Sequence, residues 1–417
     1  MTLIELFDKT PVENIITTLA FKPDRVVFVG SDQRKIYREI EFYKSVLDGR
    51  GIKTEMSVRA VPKNNLDGVV RGLYDIISDP NEDYLVDFSG GDESSLVAIG
   101  MILGDPKHTA NRIYAFRINA ISRHGVLFEA VYGEDGERKI ERETYDFSSG
   151  TQVYLTAEEN ITIHGGRVFG RGLKISRGDE VCRDIDVMWE MCRKNPVEWN
   201  AEISTFSGQT SMFSDDGSFV IPRSSIGSGR DRVKTEIWET SVREGLVIVD
   251  KEKSTDSIIV FKYKNKIVEE CLSKAGSTLE YYTYKAALEM EEDGEPLFDD
   301  AEIGIIIGWD NDPSGTRNEI DVMLMHGMIP IFISCKNGDV KSDELYKLET
   351  VSKQFGGDYS EKALVSSAFF DPSSRVYAGD NGASTFRDRA NDMDVRLISM
   401  VHKRDEESLK KDIARMV

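Results

Sequence analysis

Short apolar runs, each handed on to a stretch of helical period, fill residues 1–155 of the chain and restrict its fold more than any other feature. Asp24 and Arg25 lead into VVFVG, which has the length and composition of a buried strand. In the following RKIYREIEFYKSVLDGRG, Ile36, Ile40, Tyr43 and Leu47 recur at helical spacing, and Gly49 and Gly51 supply a stop. KTEMSVRAV, LDGVVRGLYDIIS and YLVDF repeat strand, helix and strand. YLVDF runs into SGGDESSLVAIGMIL, a glycine turn opening another helix, and the extended segments RIYAFRI and GVLFEAVYG follow. This alternation predicts a parallel α/β sheet, as a first domain over residues 1–160.

The pattern changes over residues 161–265. A helix (GDEVCRDIDVMWEMCRKN), a turn-rich patch with Asp215, Asp216 and Gly217, and a short helix (RDRVKTEIWETSVREG) precede two strands, LVIVD and SIIVFKYK. A helix followed by a two-strand wing is similar to a winged helix. Lys262, Lys264 and Lys266 alternate along the last strand, after Arg223, Arg230, Arg232 and Lys234. They form either a phosphate-binding ridge or ordinary solvated charge. Residues 266–417 form the third unit. It runs from the helix IVEECLSKAGSTLEYYTYKAALEM through an acidic loop to three strands (EIGIIIG, EIDVMLM, IPIFISCK), the helix SDELYKLETVSKQFGG and the strand ALVSSA.

A length of 417 residues agrees with this division, because single cores stop growing beyond about 250 residues. The net charge of −20, from 53 basic and 73 acidic residues, excludes a chain coated by nucleic acid and leaves room only for a local basic patch. MTLIELFDKT lacks the pattern of a signal peptide, and no apolar run approaches the roughly 20 residues of a bilayer span. A cytoplasmic protein with no membrane partner is the expectation. Cys182, Cys192, Cys271 and Cys335 form no CxxC pair, and the histidines show no zinc-ligand spacing. Cys182 and Cys192 share a helical stripe with Ile185 and Trp189, which makes them core.

Two of the C-terminal strands carry polar groups at unexpected places. Successive side chains of a strand point to opposite faces, so Glu319 and Asp321 share one face of their strand, and Ser334 and Lys336 share one face of the next. Pairing through a turn at His326-Gly327 would put Asp321 and Lys336 on the same side of one sheet. Carboxylates holding a divalent ion beside a lysine suit metal-dependent phosphodiester cleavage. The plain alternative is a surface ion pair at a sheet edge.

The order helix, three strands, helix, with an acid on the second strand and a lysine ending the third, resembles the PD-(D/E)xK nuclease fold over residues 266–385. The resemblance implies a restriction-endonuclease-like α/β domain needing Mg2+ or Mn2+. It places the first-helix acid on Glu280 in GSTLEYYTY, the aspartate ligand on Asp321 in NEID and the lysine on Lys336 in SCK, with Glu319 beside them. Ser334 stands where the family has Asp or Glu. The resemblance then looks to the next helix for the missing carboxylate, either Glu344 in its first turn or Glu349 flanking its buried stripe.

FVGSD and FSGGDESS lie where a strand hands over to a helix, a place where glycine permits close backbone approach and free N–H groups attract phosphate. Together they resemble the turns of the CARF domain, the CRISPR-associated Rossmann fold, over about residues 1–130. The implied ligand is a cyclic oligoadenylate, bound across a homodimer axis by Gly30, Ser31, Asp32, Gln33, Ser89, Gly90, Gly91 and Asp92. Asp92 and Glu93 stand where many such domains carry Lys or Arg. The three units together resemble CRISPR ancillary nucleases activated by cyclic tetra-adenylate, which implies a homodimeric, ligand-gated, metal-dependent nuclease acting on DNA or RNA in type III defence. The alternative is a ligand-responsive nucleic-acid-binding regulator with an inactive nuclease domain, and Ser334 favours it.

Overall fold

The computed structural model describes residues 1–105, 112–132, 137–148, 153–229, 231–309, 315–338, 340–367 and 382–417. Its first sheet is built outward from β1 (Thr2–Leu6), a strand that the alternation of strand and helix signals does not reveal. All five of its residues are buried, yet it is short, lies at the chain start and carries Glu5 in its interior. The sheet order is β3 (Glu55–Ala60), β2 (Arg25–Gly30), β1, β4 (Asp83–Asp87), β5 (Arg112–Ile118), β6 (His124–Tyr132), β7 (Arg138–Asp146). The first five are parallel and the last two antiparallel.

Helices α1 (Ile16–Phe21), α2 (Gln33–Gly49), α3 (Leu66–Ile76) and α4 (Glu93–Leu103) cover both faces. Leu3, Val26 and Phe28 pack toward α1 and α2, while Ile4, Val27, Val29 and Val86 pack toward α3 and α4. Strand order reverses between β1 and β4. Carboxyl ends open there into a crevice where ligands of doubly wound sheets bind.

A connecting helix, α5 (Ala157–Ile163), is started by a capping box of Thr156 and Glu159, and Glu159 is also paired with Arg50. Next comes β8 (Gly166–Gly170), assigned by sequence to the middle unit. It joins the C-terminal sheet instead, pairing antiparallel with β15 (Asp300–Trp309). That partner lies more than a hundred residues away, so local pattern could not reveal it.

The middle unit holds α6 (Glu180–Cys192), α7 (Pro196–Gln209), β9 (Ser211–Ser214), β10 (Ser218–Pro222), α8 (Thr235–Arg243), β11 (Val247–Asp250) and β12 (Ile258–Tyr263). Its sheet order is β11-β12-β10-β9. Cys182, Ile185, Trp189 and Cys192 are buried as their stripe predicts. The expected helix and wing are present, together with α7, whose signal is legible in hindsight: Asn195 caps it, Pro196 opens it, and Trp199, Ile203 and Phe206 are buried at helical spacing.

In the last unit, α9 (Lys266–Cys271) and α10 (Ser277–Leu288) precede a small hairpin of β13 (Glu291–Glu292) and β14 (Glu295–Pro296). Then follow β15, β16 (Asn318–His326), β17 (Ile329–Lys336), α11 (Ser342–Gly356), β18 (Glu361–Ser366), α12 (Gly382–Asp392), β19 (Val395–Ile398) and α13 (Glu406–Ala414). The six-stranded sheet runs β19-β18-β17-β16-β15-β8. Val322, Leu324, Ile331 and Ile333 pack on the α10 side, and Met323, Met325 and Phe332 pack with α11 and with the first sheet's α1 and α2. One apolar core therefore continues from the first unit into the last. No helix among the described residues is long and apolar enough to cross a membrane.

Candidate functional site

Strands β16 and β17 pair antiparallel from Val322 opposite Ile333 to His326 opposite Ile329, with Gly327 at φ +60° in the turn. This hairpin brings Asp321 beside Ser334, Cys335 and Lys336. Oδ2 of Asp321 accepts hydrogen bonds from Ser334 Oγ at 3.2 Å, the Cys335 backbone N–H at 2.7 Å and Lys336 Nζ at 2.9 Å. The serine in the expected acid position thus donates to the aspartate. Burial works to lower the Lys336 pKa, but the Asp321 charge and hydrogen bond more than offset it and hold the lysine above its ordinary range. Lys336 stays a cation.

Glu280 sits in the first turn of α10, after Gly276, whose φ of +103° suits a residue without Cβ. Its side chain is buried. Burial first, and then the Asp321 charge, push its pKa up to about 7. Glu319 lies at the rim, half exposed, paired with Lys274 at 3.0 Å. Of the two glutamates on α11, Glu344 lies 3.9 Å from Lys336. Glu349 is elsewhere, held by Lys353 and Lys362. Lys362 pairs in register with Phe332 and Ser366 with Lys336, which separates the two levels by about 13 Å along the strand. Glu349 is therefore not part of this centre.

Among the described residues, no three carboxylate, imidazole or thiol groups converge as a ready ion site. The donor set nevertheless fits a divalent cation. Glu280 is a buried carboxyl facing the like charge of Asp321, only partly offset by Lys274 and Lys336, and a hard cation between the two oxygen donors would relieve both.

At the other candidate site, the glycine turns lie at the carboxyl edge of β2 and β4, with β1 between them. Much of their polar capacity is used internally. Asp32 caps α2 by accepting from the Lys35 N–H at 3.0 Å, and Asp92 caps α4 by accepting from the Ser95 N–H at 2.8 Å. The Ser89 N–H donates to Asp87 and its Oγ accepts from the Ile118 N–H. Gly90 is buried against Asp8, and the Gly91 N–H donates to Asp8 Oδ2 at 3.3 Å. The turn containing Asp8 follows the unrecognised β1, so sequence reasoning missed it. Gly30 packs on Ile36, while Ser31 and Gln33 are exposed at the same edge.

Beneath these turns, Glu5 of β1 stands beside Asp87 of β4. Both Glu5 carboxyl oxygens are buried without a partner among the described residues, and burial followed by the Asp87 charge drives its pKa well above normal. Burial raises Asp87 to about 6, against hydrogen bonds from Ser89 and Thr17. A carboxyl whose folded pKa exceeds its unfolded value contributes stability that is complete below about pH 4 and is lost as pH rises through about 6. For Asp87 the loss is about 3 kcal/mol. Asp87→Asn is expected to flatten the pH dependence of the melting temperature between those values; an unchanged profile would refute the assignment.

The lysines of the wing do not form a free ridge. Lys262 bonds the Asp216 carbonyl at 2.9 Å, Lys264 lies 2.9 Å from both Glu180 and Asp184, and Lys266, which opens α9, pairs with Glu269. Arg223 donates to the Thr255 carbonyl, Lys234 pairs with Glu198, and Arg230 lies outside the described residues. Asp184 is 3% exposed, so Lys264→Ala leaves a buried carboxylate with Asn265 as its remaining donor. The variant is expected to lose about 2 kcal/mol of stability in a denaturant titration, with an unchanged salt slope of nucleic-acid binding.

Residues 269–400 match the family described as Card1-like, endonuclease domain. Among solved structures, protein VC1899 from Vibrio cholerae is 16% identical with a TM-score of 0.67, covering 99% of this chain and 97% of its own. Can2 from Sulfobacillus thermosulfidooxidans, solved in complex with cyclic tetra-adenylate, is 14% identical with a TM-score of 0.63, covering 100% and 98%. No curated protein matches the chain significantly. The likeness to both structures is one of fold alone, over essentially the whole length.

Proposed function

We propose, from the Card1-like endonuclease match at residues 269–400, that this chain is a nuclease switched on by a cyclic oligoadenylate, with cyclic tetra-adenylate as its ligand, in type III CRISPR defence. The observation that carries the reading is the Asp321 and Lys336 pair at the ends of β16 and β17, inside the segment that matches the endonuclease family. The ligand is proposed from the shared fold with Can2, which was solved with cyclic tetra-adenylate, and from the glycine turns at the switch point of the first sheet.

Glu280 and Asp321 would hold Mg2+ or Mn2+, with Glu344 3.9 Å from Lys336 in the same carboxylate-rich corner; the ion would supply Lewis-acid charge to a phosphodiester. Lys336 donates to a phosphate oxygen or to the attacking water and offsets the negative charge that grows as the P–O bond breaks. Ser334 and the Cys335 N–H fix the orientation of the Asp321 carboxylate.

A homodimer is supported by α4, where Leu96, Val97 and Met101 form an exposed apolar stripe at 40%, 53% and 50% exposure. That helix opens at the Gly90-Gly91 turn, so a ligand bound there would lie beside the second copy. A gating ligand acts only through its differential affinity for the active arrangement.

The second reading, a regulator with an inactive nuclease domain, is favoured by Ser334 alone, and the ion-paired wing lysines count against it. Incubation of plasmid and single-stranded substrates with Mg2+ and cyclic tetra-adenylate separates the two. Cleavage supports the nuclease, and substrate binding without cleavage supports the regulator.

A further inference from the structure

A cavity of about 780 Å3 opens where the first unit meets the endonuclease domain, and none of its lining residues belongs to the glycine turns or to the Asp321 centre. Two large aromatic rings stand in its wall. Phe42 comes from α2 and Trp309 from the end of β15, and the two rings converge over Gly165, where a Cβ would lie 3.2 Å from Phe42 and 3.5 Å from Trp309. Gly165 has φ +76°, so bare backbone forms the floor of a slot between two rings. Trp309 is braced from behind by Phe355, with ring centroids 4.9 Å apart.

The rim carries three cations and two carboxylates, Glu39 and Asp358. Lys9, Arg38 and Lys353 line the opening in a chain whose net charge is −20. Their acidic neighbours are Asp358 at 3.9 Å, Glu39 at 4.0 Å and Glu349 at 2.6 Å. The three cations are largely exposed while Glu39 and Glu349 are mostly buried, so an incoming phosphate competes with these carboxylates for Arg38 and Lys353 and most readily engages Lys9, whose partner Asp358 is itself exposed.

One further ring nitrogen has no hydrogen-bond partner among the described residues. His164 lines the cavity, its Nδ1 lies 2.8 Å from the Asn160 carbonyl and its Nε2 is buried without a hydrogen bond. Burial holds the ring neutral. With Nδ1 donating to the carbonyl, Nε2 is an unfilled acceptor.

We propose that this cavity binds a nucleoside monophosphate, its base between Phe42 and Trp309, its phosphate at the rim formed by Lys9, Arg38 and Lys353, and an amino or hydroxyl group donating to His164 Nε2. The volume falls within the roughly 300–1,000 Å3 of small-ligand sites, and two aromatic rings beside charged groups suit a ligand with a flat ring and an anionic group. The site goes beyond the nuclease reading and stands or falls without it.

Trp309 provides the test, because it is 37% exposed while Trp189, Trp199 and Trp238 are buried. The full chain is titrated with AMP, adenosine and inorganic phosphate while tryptophan emission and melting temperature are followed. AMP is expected to quench emission saturably and raise the melting temperature, with adenosine and phosphate each about tenfold weaker or worse. Arg38→Glu and Phe42→Ala are each expected to weaken AMP by about tenfold or more. Arg38 is exposed, so its variant keeps the test valid if Phe42→Ala fails to fold. Absence of saturable quenching at millimolar AMP, equal affinity for AMP and adenosine, or AMP binding unchanged in the folded variants would each overturn the assignment.

Discussion

Asp321→Asn is expected to slow cleavage by about a thousandfold while leaving the melting temperature and the calorimetric binding of cyclic tetra-adenylate close to wild type. The substitution is nearly isosteric. Its amide oxygen still accepts from the Cys335 N–H and Ser334, so the hairpin is kept, but the charge that pairs with Lys336 and crowds Glu280 is gone. Glu280→Gln should reproduce the loss, because it removes the second hard oxygen donor. Lys336→Ala tests the role of the cation separately: kcat is expected to fall more than KM rises, since the lysine acts on charge that develops only in the transition state. Wild-type turnover in Asp321→Asn would remove the β16 and β17 corner from the mechanism.

Gly91→Trp is the second large effect, on regulation instead of chemistry. At φ +94° a side chain is strained, and its Cβ would approach Leu6 Cβ to 2.8 Å, so the turn must leave its present position. Stimulated over basal cleavage is expected to collapse to about one, with basal metal-dependent cutting retained because Asp321 lies in a different sheet. Asp8→Asn is the milder companion. It keeps the shape of the contact to the Gly91 N–H and weakens it, so the ratio should fall partway. A folded Gly91→Trp protein with an unchanged ratio would mean that the turns do not sense the ligand.

The parts legible in the sequence were those set by local period. The strand and helix alternation around β2, β3 and β4, the buried stripe of α11 and the hairpin carrying Asp321 and Lys336 all follow from spacing over ten or fifteen residues. What escaped depended on distant partners. Strand β1 reads as a short terminal run with a charge in it, and only neighbouring strands on both sides make it central. The wing lysines look like a ridge until Glu180 and Asp184, some eighty residues earlier, are placed against Lys264. Glu344 and Glu349 are both reasonable donors on a helical wheel. Lys362 on β18, however, draws Glu349 to the far end of the sheet.

The most direct test of the central claim is the initial rate of plasmid cleavage in Mg2+, with and without cyclic tetra-adenylate, for wild type and Asp321→Asn, each repeated in EDTA. The account predicts that the ligand raises the wild-type rate by about tenfold or more, and that EDTA or the substitution abolishes cutting whether or not the ligand is present. A wild-type rate that persists in EDTA, or that is the same with and without saturating ligand, would contradict it.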